Sequence, residues 1–139
     1  MAAREVFMDT AGFLALWDAG DEHHRRAVRL QTELARKRSG FLTTDYIADE
    51  TATLLRLRHS HAAAVDFLQT MATSRTLRLE WVASDRFQSA ANLFRRHDDK
   101  EWSFTDCVSF TVMRELHVHD CFTTDHHFEQ AGFSALLKG

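Results

Sequence analysis

Four carboxylates in this chain of 139 residues stand where chemistry is possible: Asp9, Glu50, Asp106 and Asp125. Asp9 follows the short apolar run Val6-Phe7-Met8, and Asp125 follows Cys121-Phe122-Thr123. Both fall at what read as the carboxyl ends of strands, each just before a helix, and N-capping alone accounts for either one in isolation. Asp106 opens an apolar helix holding Cys107, Val108, Phe110, Val112, Met113 and Leu116, where an acid in the first turn is favoured by the helix dipole. Glu50 is harder to explain as a cap. It is three residues after Ile47 and four before Leu54, on an apolar stripe through Ile47, Leu54 and Leu57 with Thr51 beside it. A carboxylate on such a stripe is costly unless paired, either with an arginine or with a metal ion. Four acids in one cleft would repel strongly unless cations sat between them, and hard oxygen donors with few nitrogens suit Mg²⁺ or Mn²⁺.

Other reactive side chains make weaker patterns. Cys107 and Cys121 form no disulfide framework and are not spaced as zinc ligands, so two reduced, buried thiols are expected. A nucleophilic Cys107 at a helix N-terminus is the alternative. The nine histidines include the adjacent pairs His23-His24 and His126-His127, but no two stand at the i, i+4 spacing of a helical zinc site. Surface or capping roles are expected of them. A phosphatase-like hydrolase would want a glycine-rich phosphate loop or an Asp-x-Asp pair near the first strand, and neither is present.

The elements that must position these acids alternate. Apolar runs at residues 6–8, 41–44, 76–82 and 121–123 read as strands, the third the clearest because Leu77, Leu79 and Trp81 alternate with Arg78 and Glu80. Helical patterns occupy residues 10–19, 21–38, 45–57, 60–74, 84–96, 103–116 and a short stretch after Asp125 that stops at Gly132; Asp21 and Asp45 are expected to cap two of them. Residues 133–137 are expected to add an edge strand. Alternation of this kind implies an α/β fold, a three-layer α/β/α sandwich around a small, mostly parallel sheet. Ligands bind such sheets at the carboxyl ends of the strands, where Asp9 and Asp125 fall.

There is no proline and no linker-like tract, so residues 1–139 are expected to form a single domain. The net charge of −3 argues against a nucleic-acid partner on its face, although a metal site needs acids that count toward that total. The basic residues cluster instead: Arg25, Arg26, Arg29, Arg36, Lys37 and Arg38 in one segment, Arg56, Arg58, Arg95, Arg96 and Lys100 further on. A solvated helix face explains such a run, and a groove that tracks phosphates is the alternative. No apolar run is long enough to span a bilayer, and the opening one is too short for a signal peptide, so a cytoplasmic location without membrane contact is expected.

Four blocks, taken in order, resemble a known family. They are Phe7-Met8-Asp9-Thr10-Ala11, then Thr43-Thr44-Asp45-Tyr46-Ile47-Ala48-Asp49-Glu50-Thr51, then Asp99-Lys100-Glu101-Trp102-Ser103-Phe104-Thr105-Asp106-Cys107, and last Phe122-Thr123-Thr124-Asp125-His126-His127-Phe128 with Ala131-Gly132-Phe133. The chain resembles PIN-domain proteins, most closely the ribonuclease toxins of VapBC toxin–antitoxin systems. Two departures stand out: Asp45 sits where Asn or Ser is usual, and His126-His127 follow the fourth acid where some members carry another acid.

The resemblance implies metal-dependent hydrolysis of RNA phosphodiester bonds. Asp9, Asp106 and Asp125 would hold Mg²⁺ or Mn²⁺, and Glu50 would complete the shell and orient or deprotonate the attacking water. Thr10, Ser103 and Thr105 are candidates for supporting hydrogen bonds, with helix capping as the ordinary role of such hydroxyls. The resemblance further implies a homodimer and a small antitoxin whose helix lies in a groove near the site, to which Phe13, Leu16 and Trp17 would contribute unless they are plain core. Two other readings stay open: a non-catalytic module that only docks RNA or a protein, and a housekeeping RNA-processing nuclease with no antitoxin.

Overall fold

The apolar run before Asp9 becomes the centre of a sheet. The computed structural model describes residues 4–138. Residues 1–3, part of the opening stretch judged too short for a signal peptide, and Gly139 lie outside the described residues. Five strands, β1 (Glu5–Met8), β2 (Gly40–Thr44), β3 (Leu77–Glu80), β4 (Asp120–Phe122) and β5 (Ser134–Ala135), pair in the order β3-β2-β1-β4-β5. Every pairing is parallel, so the sheet is wholly rather than mostly parallel.

Seven helices connect the strands among the described residues: α1 (Thr10–Trp17), α2 (His24–Arg36), α3 (Asp45–Arg58), α4 (His61–Thr73), α5 (Ser84–Arg96), α6 (Phe104–Glu115) and α7 (His126–Gln130). The crossovers from β1 to β2 and from β2 to β3 step in one direction, and those from β3 to β4 and β4 to β5 step the other way. Right-handed connections therefore put α1 to α4 on one face and α5 to α7 on the opposite one. The expected sandwich follows. The reversal of direction lies between β1 and β4, which makes the carboxyl ends of those two strands the switch point at which parallel sheets bind ligands.

Burial follows from these layers. Val6, Phe7, Cys121 and Phe122 are fully buried in the two central strands, and Phe110, Val112 and Met113 of α6 are fully buried in the same core. The helix α1 comes unusually close to the sheet. A Cβ placed on Gly12 would stand 2.1 Å from the backbone oxygen of Phe122, so only glycine fits there.

Several local expectations need correction. The helix expected from residue 21 starts at His24, because the Asp21 carboxylate accepts from the His23 N–H at 2.8 Å and shapes the preceding turn instead. Asp45 is not the cap of α3. Thr44 is, its hydroxyl accepting from the Ile47 N–H, while Oδ1 of Asp45 accepts from the Val82 N–H at 2.9 Å. The buried stripe of α3 runs through Ile47, Thr51 and Leu55, a spacing of four, and Leu57 is 74% exposed. The alternation at residues 77–81 belongs to an edge strand with half-buried leucines, and Trp81 lies beyond it, 68% exposed. The last strand shrinks to Ser134–Ala135. Phe13 packs as core, 2% exposed, with its ring 4.9 Å from that of Phe67, whereas Leu16 and Trp17 remain half-buried and line a shallow surface groove with Val28, Gln31 and Asp66.

Candidate active site

Asp9 leaves β1 at the switch point and is 7% exposed. Its backbone holds the N-cap position of α1, yet its side chain makes no capping hydrogen bond. Oδ2 instead accepts from the Thr123 hydroxyl at 2.8 Å, and the Thr123 oxygen in turn accepts from the Asp125 N–H at 3.0 Å. Capping therefore fails as an explanation of Asp9. On the other side of β1, the Thr43 hydroxyl donates to the Met8 carbonyl at 2.8 Å and fixes the end of β1 against β2.

Asp106 and Asp125 do cap their helices, and their charges are aimed into the same place as Asp9. Asp106 closes a capping box with Ser103: its N–H donates to the Ser103 hydroxyl, and its Oδ2 accepts from the Ser103 N–H, both at 3.0 Å. Trp102, buried, packs its ring 5.1 Å from Phe110 and donates Nε1 to Gln130, which anchors the loop that delivers Ser103 and Asp106. Oδ1 of Asp125 accepts from the His127 N–H at 2.8 Å. Phe128, fully buried against Phe110, pins the short helix α7.

Glu50 faces the site from α3. It is half-buried beside the core stripe rather than on it. It lines a cavity of about 480 Å³ with Asp45, Tyr46, Asp49, Thr53, Leu54 and Thr105. Asp49 is exposed. No arginine or lysine among the described residues forms an ion pair with Asp9, Glu50, Asp106 or Asp125, which removes the arginine alternative for Glu50.

The electrostatics report one shared environment. Burial pushes the Asp9 carboxyl from its ordinary 3.8 up to about 7; the Thr123 hydrogen bond opposes this, and repulsion from Asp106 and Asp125 adds to it. Burial likewise raises Glu50, opposed by the Thr10 hydroxyl and assisted by the charges of Asp106 and Asp49. Asp106 is raised by burial and then by Asp125, against lowering by the Ser103 N–H and by His127. All four sequence-selected acids are thus coupled through Asp106. The coupling does not close them into one tight knot: the group of His, Cys, Asp and Glu ligand atoms found within 4.8 Å of one another among the described residues is Asp125, His126 and His127. Like charges hold apart, and the donor set of carboxylates with nothing cationic but histidine fits a hard divalent ion between them.

Compared with known proteins, the chain is 38% identical over 128 residues to the 23S rRNA-specific endonuclease VapC20 of Mycobacterium tuberculosis, in strains CDC 1551 / Oshkosh and H37Rv, spanning 92% of this chain and 95% of each relative. The chain belongs to the VapC family. A crystal structure of Mycobacterium tuberculosis VapC20, described as a sarcin–ricin loop cleaving toxin, superposes with a TM-score of 0.84 at 37% identity, over 92% of this VapC chain and 95% of the other. The PIN-domain fold expected from the four blocks is the fold observed. No protein-family model matches the chain.

Within this VapC-family site, three side chains escaped the sequence reading. Thr123 reads as one more buried strand residue, yet its hydroxyl joins Asp9 to Asp125. Thr51, buried on the core stripe, reaches the Thr10 hydroxyl at 3.5 Å. His127 reads as a surface or capping histidine, but its Nδ1 stands 3.2 Å from Oδ2 of Asp106 and 3.4 Å from Oδ1 of Asp125. The available signal was the pair His126-His127 after the fourth acid, where some family members carry another acid. The cysteines behave as expected: both are free and buried, and burial, followed by the charge of Asp106, pushes the Cys107 thiol up to about 11, the opposite direction from an activated thiol.

Proposed function

We propose that this chain is a single-domain, Mg²⁺- or Mn²⁺-dependent endoribonuclease and the toxin of a toxin–antitoxin pair. One observation carries the reading. Acids from the end of β1, α3, α6 and the end of β4 share the switch point of the sheet without an arginine or lysine partner, and burial raises the carboxyl groups of Asp9, Glu50 and Asp106. Such an arrangement is destabilising unless it serves a cation. The relatives named as 23S rRNA-specific endonucleases support RNA as the substrate class, and a 23S rRNA fragment containing the sarcin–ricin loop is the first substrate to test.

In this reading Asp9, Asp106 and Asp125 hold the ion. A bound divalent ion supplies positive charge to the scissile phosphate and lowers the pKa of attacking water. Glu50 completes the donor set from the cavity side, where its raised pKa suits it to take a proton from that water at a carboxylate oxygen. Thr10 and Thr123 hold Glu50 and Asp9 in orientation, Ser103 holds Asp106, and Thr105 lines the cavity in which RNA would approach Glu50.

The family also supports a small antitoxin partner. The half-buried Leu16 and Trp17 offer a groove for one of its helices; Phe13, as core, does not. A homodimer would find an apolar face in Trp81, Phe87 and Phe94, which are exposed although Phe87 and Phe94 stack on Phe104 at 5.2 and 5.9 Å. Among the described residues no helix is long and apolar enough to cross a membrane.

The test is cleavage of RNA by purified protein. Activity is expected with Mg²⁺ or Mn²⁺, to stop with chelator, and to fall by roughly a thousandfold or more in Asp9→Asn and Asp106→Asn, the scale on which removing a charge-stabilising group acts. Wild-type cleavage by both variants, or cleavage unaffected by chelator, overturns the proposal.

A further inference from the structure

Asp125 is followed by two histidines, and the fold uses them differently. His126 is exposed, its side chain 60% accessible, with Nδ1 3.8 Å from Oδ1 of Asp125. His127 is turned inward, its side chain 19% accessible. Its N–H is spent on capping contact with Asp125, which fixes the start of α7 and with it the direction of the ring. Nδ1 then lies 3.2 Å from Oδ2 of Asp106 and 3.4 Å from Oδ1 of Asp125. The imidazole nitrogen therefore lies within reach of two acids from different elements at the edge of the site.

Those separations have a meaning beyond an ion pair. Six-coordinate divalent ions bind oxygen and nitrogen at about 2.1–2.2 Å, so neighbouring ligand atoms stand roughly 3 Å apart. The nitrogen of His127 stands from each carboxylate at about the separation of neighbouring ligand atoms in such a shell. Asp125 and His127 also belong, with His126, to a group whose ligand atoms lie within 4.8 Å of one another, and Asp106 stands outside that group and meets it through the His127 nitrogen. An imidazole changes which metal such a shell favours. Mg²⁺ holds to oxygen donors and keeps its waters, whereas Mn²⁺ and the later first-row ions accept nitrogen and bind more tightly in the order of that series.

We propose that His127 is a direct nitrogen ligand at the carboxylate centre, completing it with Asp106 and Asp125 and selecting Mn²⁺ over Mg²⁺. The inference rests on the four-acid metal centre proposed above and deepens it. His126, exposed beyond the shell, is not required.

Pulsed electron paramagnetic resonance of Mn²⁺ bound to the full chain tests this without reference to activity. Bound Mn²⁺ is expected to show electron-spin-echo modulation from a coordinated histidine nitrogen, and the pattern is expected to change when histidine is labelled with ¹⁵N. The modulation is expected to vanish in His127→Asn and persist in His126→Asn. By titration, His127→Asn is expected to weaken Mn²⁺ binding on the order of tenfold or more, the scale of lost metal-site partners, while changing Mg²⁺ binding by less than about threefold. Bound Mn²⁺ without nitrogen modulation in the wild-type protein overturns the role of His127 and leaves the carboxylate centre standing. So does modulation that survives in His127→Asn, or an equal loss of both metals. Failure of the wild-type protein to bind Mn²⁺ at all sinks the carboxylate centre itself, and this inference with it.

Discussion

The Thr123 hydroxyl donates a 2.8 Å hydrogen bond to Oδ2 of Asp9, joining the ends of two adjacent parallel strands at a buried point. This bond is the main influence holding the Asp9 carboxyl down against its burial. It also aims the carboxylate, because the second Thr123 contact is to the backbone of Asp125. Replacing Thr123 with valine keeps the volume and removes both contacts. Thr123→Val is expected to retain the fold while losing roughly 10- to 100-fold in metal affinity and in kcat/KM, the usual cost of removing a group that orients a metal ligand. Calorimetric titration with Mn²⁺ and a cleavage assay on the same preparation check it. Unchanged metal affinity would show that Asp9 is positioned by the backbone alone.

The raised carboxyl of Asp9 sets a pH dependence of stability whose sign is definite. Its folded value of about 7 lies above the ordinary 3.8 of the unfolded chain. Between those values the folded state binds more protons than the unfolded state, so stability is full near pH 4 and declines as the pH rises toward 7. Glu50 and Asp106, also raised, act in the same direction. With divalent ions chelated, Asp9→Asn removes this penalty. At pH 8 the variant is expected to be more stable than the parent by about 2–4 kcal/mol, and near pH 4 the two should nearly coincide. Urea unfolding at both pH values measures the difference, and a gap that does not change with pH contradicts the assignment. Adding Mn²⁺ should stabilise the parent more than the variant.

The sequence carried the order of elements because strand and helix periods alternate cleanly along it. It carried three of the acids because strand ends and helix starts are marked by Asp in known positions. The sheet order was not legible, since β3-β2-β1-β4-β5 depends on which connections reverse direction, and no residue records that. The stripe on α3 was misplaced because Leu54 and Leu57 outweighed Thr51 and Leu55; the helix buries Thr51 completely and leaves Leu57 in solvent. Trp81 extended a strand by alternation alone, which an edge strand does not enforce. His127 went unseen for a different reason. A five-residue helix has no periodicity from which the direction of one ring can be read.

Gly12 tests how tightly the site depends on packing behind it. The helix α1 begins one residue after Asp9 and crosses β4 so closely that an added methyl would sit 2.1 Å from the Phe122 carbonyl oxygen. That obstacle is backbone and cannot rotate away. Gly12→Ala must push α1 from β4, separating Asp9 from Thr123. A loss of about 3 kcal/mol or more is expected, at the upper end for overpacking, in spite of alanine's better helix propensity. Denaturant unfolding gives the number, and a neutral or stabilising result would mean that α1 does not lie on β4 as described.

Asp125 has two roles that a pair of substitutions can separate. Its Oδ1 accepts from the His127 N–H and caps α7, while the same carboxylate adds to the repulsion that raises Asp9 and Asp106. Asparagine keeps an oxygen for the cap and removes the charge; alanine removes both. Asp125→Asn is therefore expected to hold the stability of the parent in chelator, or exceed it through relief of repulsion, and to lose metal binding and cleavage. Asp125→Ala is expected to lose metal binding to the same extent and about 1 kcal/mol of stability in addition, the ordinary cost of a missing cap. Thermal unfolding with and without Mn²⁺ reads both effects on one instrument. If the two variants are equally stable, the 2.8 Å contact is incidental and Asp125 is held in the site by Phe128 and the end of β4. If Asp125→Asn still gains stability from Mn²⁺ as the parent does, Asp125 is not among the ligands, and the ion rests on Asp9, Glu50 and Asp106.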